Sequence, residues 1–202
     1  MLITRLTRLT KSIAILGVLA FTCKLAFANA AVANKVTLAS ASESTASPMS
    51  LREISKRYIP QPETVGKARL KVMFWKIYDA QLMATKGEWQ EGAPFALSLT
   101  YLRDFDGEEI ASRSVDEMRD LGYDDEVDLA KWFEQMRAVF PDVKEGDNIT
   151  GVLDENRHTH FYYRGQKVGS IDDVTFGQSF FDIWLSDKTS EPKMRKQLLG
   201  LN

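Results

Sequence analysis

The chain of 202 residues contains one cysteine, Cys23, and two histidines, His158 and His160. Cys23 falls in an amino-terminal segment that reads as removable, so the remainder has no thiol for a disulfide or a cysteine nucleophile. Lysine and arginine are scattered rather than clustered, which argues against a nucleic-acid groove. There is no internal repeat. Nor does any apolar run reach the roughly 20 residues needed to cross a bilayer; the longest, residues 12–22, stops just short of Lys24.

What is present at the amino terminus is the pattern of an export signal. Residues 1–11 carry Arg5, Arg8 and Lys11 without an acidic residue, the short apolar run follows, and Ala26-Phe27-Ala28 or Ala28-Asn29-Ala30 supplies a small-x-small cleavage site. A signal peptide over residues 1–28 and a periplasmic location are expected, with no stable membrane anchor. Thr22 and Ala20 fit a lipoprotein cleavage site at Cys23 poorly. Cleavage would remove four basic residues and take the formal charge from −2 to −6. Residues 29–50, rich in Ala, Ser and Thr, read as a disordered linker, and residues 51–202 as one domain with one core.

Within that domain the periodicities alternate in blocks. Residues 68–74, 76–84 and 95–102 are strand-forming. Asp106 with Glu109 predicts a capping box and a helix to Leu121, closed by Gly122. Leu129, Trp132, Phe133, Met136, Val139 and Phe140 recur at helical spacing after Asp125, and Pro141 stops them. Residues 148–153, 158–163 and 167–171 read as a strand meander, turning at Asp154-Glu155-Asn156 and Arg164-Gly165. Phe176, Phe180, Phe181, Trp184 and Leu185 then mark one stripe of a buried helix behind Asp172 or Asp173. Ser190 and Pro192 predict the start of a last helix, with Gly200 at its end. Strands, helix pair, strands, helix pair describe an α+β domain: an antiparallel sheet with helices packed on one face.

Several polar groups suggest chemistry. His158 and His160, two apart on a strand, would share a face and could share a metal, but no third ligand follows from spacing; a solvated strand face is the simpler reading. Asp104, Asp106, Glu108 and Glu109 sit where a helix start accounts for them. Asp124, Asp125, Glu126 and Asp128 lack the glycine and spacing of a calcium loop. No metal and no cofactor is expected. The set of most interest is Arg69, Tyr78, Tyr101 and Arg103. If their strands run beneath the helices, an arginine among aromatics must meet an acid, either a protein carboxylate or the head group of a ligand.

The stretch GKARLKVMFWKIYDAQL, with its glycine, arginine and Tyr-x-x-x-Leu strand, resembles the opening of the chalcone isomerase-like family, in the branch found as exported bacterial proteins. LSLTYLRDF, FPDVKEGDNIT and FFDIWLS are similar to later landmarks, so the resemblance spans residues 65–200. It implies an open-faced sheet-and-helix fold. Cyclisation of a chalcone needs an arginine and hydroxyl donors on one apolar cleft. Arg69 fits the family arginine, whereas Met73 and Ile183 stand near two hydroxyl positions and residues 106–112 contain no tyrosine. The resemblance therefore implies a member without isomerase chemistry. Relatives of that kind include fatty-acid-binding proteins, which implies that Arg69 could anchor a fatty acid or another small amphipathic carboxylate. The alternatives are an envelope structural or interaction protein with a filled cleft, and an isomerase or lyase of unrecognised type.

Overall fold

The computed structural model describes residues 47–201; the expected signal segment and most of the expected linker lie outside them. Six strands form one antiparallel sheet in simple sequence order: β1 (Pro62–Val72), β2 (Trp75–Thr85), β3 (Phe95–Tyr101), β4 (Asn148–Leu153), β5 (Thr159–Tyr163) and β6 (Gln166–Ile171). Helices α2 (Gly107–Leu121) and α3 (Glu126–Val139) fall between β3 and β4, and α4 (Val174–Leu185) and α5 (Pro192–Leu198) follow β6. The expected α+β architecture is observed, with α2 to α5 on one face of the sheet.

The two faces follow from the period of two along each strand. Rows such as Ala68, Ala80, Leu99 and Ile149, or Leu82, Leu97, Gly151 and Phe161, cross the sheet in register and face the helices. Against them α4 sets Phe176, Phe180, Phe181 and Trp184, spaced at the helical repeat and all buried. Ring centroids of Phe161 and Phe180 are 5.4 Å apart, and those of Phe95 and Phe181 4.7 Å apart, both edge to face. Ala111, Val115 and Met118 of α2 and Leu129, Trp132 and Met136 of α3 complete the layer. Helix α5 packs so closely on β1 that a Cβ at Gly66 would lie 2.1 Å from the Gln197 carbonyl oxygen.

The helix ends differ in part from their expected chemistry. Asp125 and Asp173 cap α3 and α4 as read, and Gly122 adopts the left-handed conformation with φ 102°. Asp106, however, makes no side-chain cap bond. The Gly107 N–H donates instead to Asp142 Oδ1 at 2.9 Å, because the start of α2 lies against the backbone of Phe140 and Pro141. Glu191, not Ser190, precedes α5, and the Ser190 hydroxyl donates to Glu117.

A short helix α1 (Leu51–Ser55) lies on the opposite face of the sheet. Ser50 and Glu53 form a complete capping box, a sequence signal that precedes the strands. Ile54 and Ile59 cover Ala96, Val152 and Tyr162 in a small second core, and the Met49 N–H donates to the Gly165 carbonyl at 3.3 Å. His160 belongs to this face and is not solvated. Its ring stacks on Tyr58 at 4.7 Å and bonds Asp154 Oδ2 at 2.8 Å, while His158 lies just before β5. The solvated reading fails for His160, because α1 and the following turn carry Tyr58 over the strand, and holds in part for the partly exposed His158.

Candidate functional site

On the face that α1 covers only in part, alternation along β1 to β4 produces two transverse polar rows. Lys67, Gln81, Ser98 and Thr150 are register partners across four strands, and Arg69, Asp79, Thr100 and Asn148 form the next row. Apart from the buried Thr150, they floor a groove of about 840 Å³ walled by Leu51 of α1 and by Lys196, Gln197, Gly200 and Leu201 at the carboxyl end. This is within the size range of small-molecule sites.

Among the described residues, three cations, Lys67, Arg69 and Lys196, line this groove with one acid, Asp79. Arg69 grips Asp79 bidentately, Nε to Oδ1 at 2.5 Å and Nη2 to Oδ2 at 2.7 Å, with both side chains about 40% exposed. The guanidinium bonds hold the Asp79 carboxyl below the usual carboxylate range. Two of the five guanidinium N–H groups are thereby used, and the others have no partner among the described residues. Thr150 Oγ1 donates to Ser98 Oγ at 2.9 Å, and Gln81 Nε2 to Thr64 Oγ1 at 2.8 Å, which fixes the floor. The arrangement suits recognition of an anionic head group by several donors, with Leu51 and Leu201 offering apolar surface.

The four residues singled out in the sequence are not brought together. Arg69 points away from the helices and is neither buried nor among aromatics. Tyr78 and Tyr101, one strand and two strands away, face the helices with centroids 6.1 Å apart. Tyr78 Oη accepts from Trp184 Nε1 at 2.9 Å, and burial pushes both phenols well above their ordinary pKa. Arg103 lies at the far end of the sheet, its guanidinium 4.3 Å from the centroid of the Trp75 ring. The physical reason is the register: Leu70, not Arg69, is opposite Tyr78, so arginine and tyrosine fall on opposite sides of the pleat. Lys67, Gln81 and Lys196 were missed. Alternation of Lys67, Arg69 and Lys71 against Ala68 and Leu70 was the available signal for the first.

The layer between sheet and helices, where Arg69 was expected, is filled by the α4 aromatics. Trp75 and Phe74 lie outside it, exposed at the β1–β2 turn. A second, more acidic groove of about 410 Å³ lies where Tyr123, Asp125 and Asp128 meet Gln178 of α4. There Tyr123 Oη donates to Asp182 Oδ2 at 2.6 Å, and burial with that bond pushes the phenol up to about 12. Among the described residues no group of three His, Cys, Asp or Glu side chains could hold a metal ion. None of the described helices is long and apolar enough to cross a membrane.

Residues 66–200 match a family model described as chalcone isomerase-like. The chain is 27% identical over 139 residues to an uncharacterised protein of Haemophilus influenzae, covering 68% of each. The crystal structure of a fatty-acid binding protein of Arabidopsis thaliana matches with a TM-score of 0.54 and 11% identity, over 69% of this chain and 87% of that one. That likeness is one of fold.

Proposed function

The chain belongs to the chalcone isomerase-like family, and from that premise we propose that it is an exported, non-catalytic periplasmic domain that binds a small amphipathic acid such as a fatty acid. The observation that supports this is the groove of about 840 Å³ lined by Lys67, Arg69 and Lys196. The ligand sits on the open face of the sheet, not between sheet and helices. Its carboxylate shares Arg69 with Asp79 and draws on Lys67 and Lys196, and its chain lies along Leu51 and Leu201. Met73 and Ile183, where hydroxyl donors would polarise a chalcone, support the absence of isomerase chemistry, and the pattern of residues 1–28 supports export.

A long-chain fatty acid at one hundred times its dissociation constant stabilises the folded state by about 2.7 kcal/mol, which raises the melting temperature by about 5 to 10 °C in a domain of this size. Lys67→Gln with Lys196→Gln removes most of that shift and leaves the unliganded protein unchanged. Asp79→Asn frees Arg69 and strengthens binding. Absence of any shift with saturated and unsaturated fatty acids ends this reading. Turnover of chalcone above the uncatalysed rate ends the non-catalytic one. A second reading, an interaction protein of the envelope, is favoured by the aromatic filling between sheet and helices, and no ligand-induced shift would leave it in front.

A further inference from the structure

The β1–β2 hairpin ends in Val72, Met73, Phe74 and Trp75, and all four are exposed, Met73 by 81% and Phe74 by 92%. The last ladder pairs, Lys71 with Lys76 and Val72 with Trp75, lie beyond the Tyr78–Tyr101 pair at the end of β3, so the tip projects past the neighbouring strand. Two-residue hairpin turns favour Asn, Asp and Gly because central residues take positive φ. Here Met73 adopts φ 55°, and Phe74, next in the chain, does not take positive φ. Turn chemistry does not select these residues, and core packing does not either.

Charge at the tip is equally one-sided. From Thr64 to Tyr78 the chain carries Lys67, Arg69, Lys71 and Lys76 and no acidic residue, although acidic residues outnumber basic ones in the protein as a whole. Lys71 and Lys76 are direct cross-strand partners, an arrangement that like-charge repulsion destabilises. Arg103 adds a third cation against the face of Trp75. An apolar wedge carrying an indole and ringed by long cationic side chains matches a lipid headgroup boundary: aromatics sit at the interface, aliphatic groups go below it, and lysines reach anionic headgroups. A protein partner fits less well, since a standard interface engages 20 to 30 residues a side and the tip is the convex end of a two-stranded ribbon.

We propose that the β1–β2 tip, through Val72, Met73, Phe74 and Trp75 with Lys71, Lys76 and Arg103, docks reversibly on a bilayer leaflet that contains anionic phospholipid. This contact is independent of the groove and its ligand. The test uses the full chain with vesicles of phosphatidylcholine alone and of an equimolar mixture with phosphatidylglycerol, the acyl chains brominated. Tryptophan quenching reports mainly on Trp75, because Trp132 and Trp184 are buried and Trp89 is partly buried against the core; the smaller quenching that persists in Trp75→Phe measures the Trp89 contribution. The expected results are quenching on the mixed vesicles, little on the neutral ones, and loss in Trp75→Phe and Phe74→Asp. Lys71→Gln with Lys76→Gln should weaken binding by about thirtyfold, from about fivefold per charge. All the substituted side chains are at the surface, so an unchanged melting temperature separates lost docking from lost folding. Equal quenching in Trp75→Phe, equal binding to neutral vesicles, or no quenching overturns the proposal. So does a concentration-dependent dimer that Phe74→Asp dissociates, which would make a second copy the occupant.

Discussion

Asp173 illustrates how much one buried-edge carboxylate does in this domain. It caps α4 through the Thr175 N–H at 3.0 Å and ties α4 to α3 by accepting from Lys131 Nζ at 2.7 Å and Trp132 Nε1 at 3.2 Å. Removing the cap costs about 1 kcal/mol, and orphaning the indole N–H of a buried tryptophan about 1 to 2 more. Asp173→Ala should therefore lower stability by about 2 to 3 kcal/mol in a denaturant titration. Burial would raise its pKa, but the bonds from Lys131, Thr175 and Trp132 outweigh it and hold the carboxyl well below the usual range. Asp154 shows the same balance, burial against bonds from His160 and the backbone, and Asp147 is lowered first by the Tyr163 hydroxyl. Carboxyls lowered on folding stabilise the native state above their unfolded pKa of about 3.9 and lose that contribution as pH falls toward the folded values. Stability should be flat near neutrality and fall below about pH 4, less steeply in Asp173→Asn.

At the scale of elements, α4 anchors the helix layer and β1 carries both proposed surfaces. Trp184 is buried against Phe180 and bonded to Tyr78, and truncating such an aromatic costs about 3 to 5 kcal/mol. Trp184→Ala should lower the melting temperature sharply, whereas His158→Ala, whose ring is 4.0 Å from its nearest carboxylate, should barely move it. Gly66→Ala places a methyl against the α5 backbone and should cost about 1 to 3 kcal/mol by overpacking. Because α5 leads into one wall of the groove, the same substitution should also weaken fatty-acid binding; unaltered affinity would mean that Lys196 and Leu201 do not contribute.

Over the whole molecule, the sheet separates two environments. One face is dry and aromatic, and the other is polar, grooved and only partly covered by α1. The projecting β1–β2 tip and the groove share one hairpin, and Arg69 is three residues from Val72, about 10 Å at the strand rise. An envelope location would give both surfaces their partners. Intact mass of the protein from an envelope fraction should show an amino terminus near Asn29 or Ala31, and recovery from the cytoplasm with Met1 in place would exclude export.

Patterns that depend on neighbours in the chain were readable from the sequence: the strand and helix periods, Asp125 and Gly122 at helix ends, the α4 stripe, and with them the fold and family. The α1 capping box at Ser50 and Glu53 was equally legible, but five helical residues carry too little periodicity to stand out beside an Ala-Ser-Thr tract. Side-chain partners distant in sequence were not readable. Asp142 replaces Asp106 at the start of α2, Tyr58 covers His160, and Arg69 turns to Asp79 on the open face. Each depends on strand register and on which face the helices choose, and a period of two says only that neighbouring residues diverge. A single step of register decides whether an arginine joins the tyrosines or faces away from them, and only tertiary packing makes that choice.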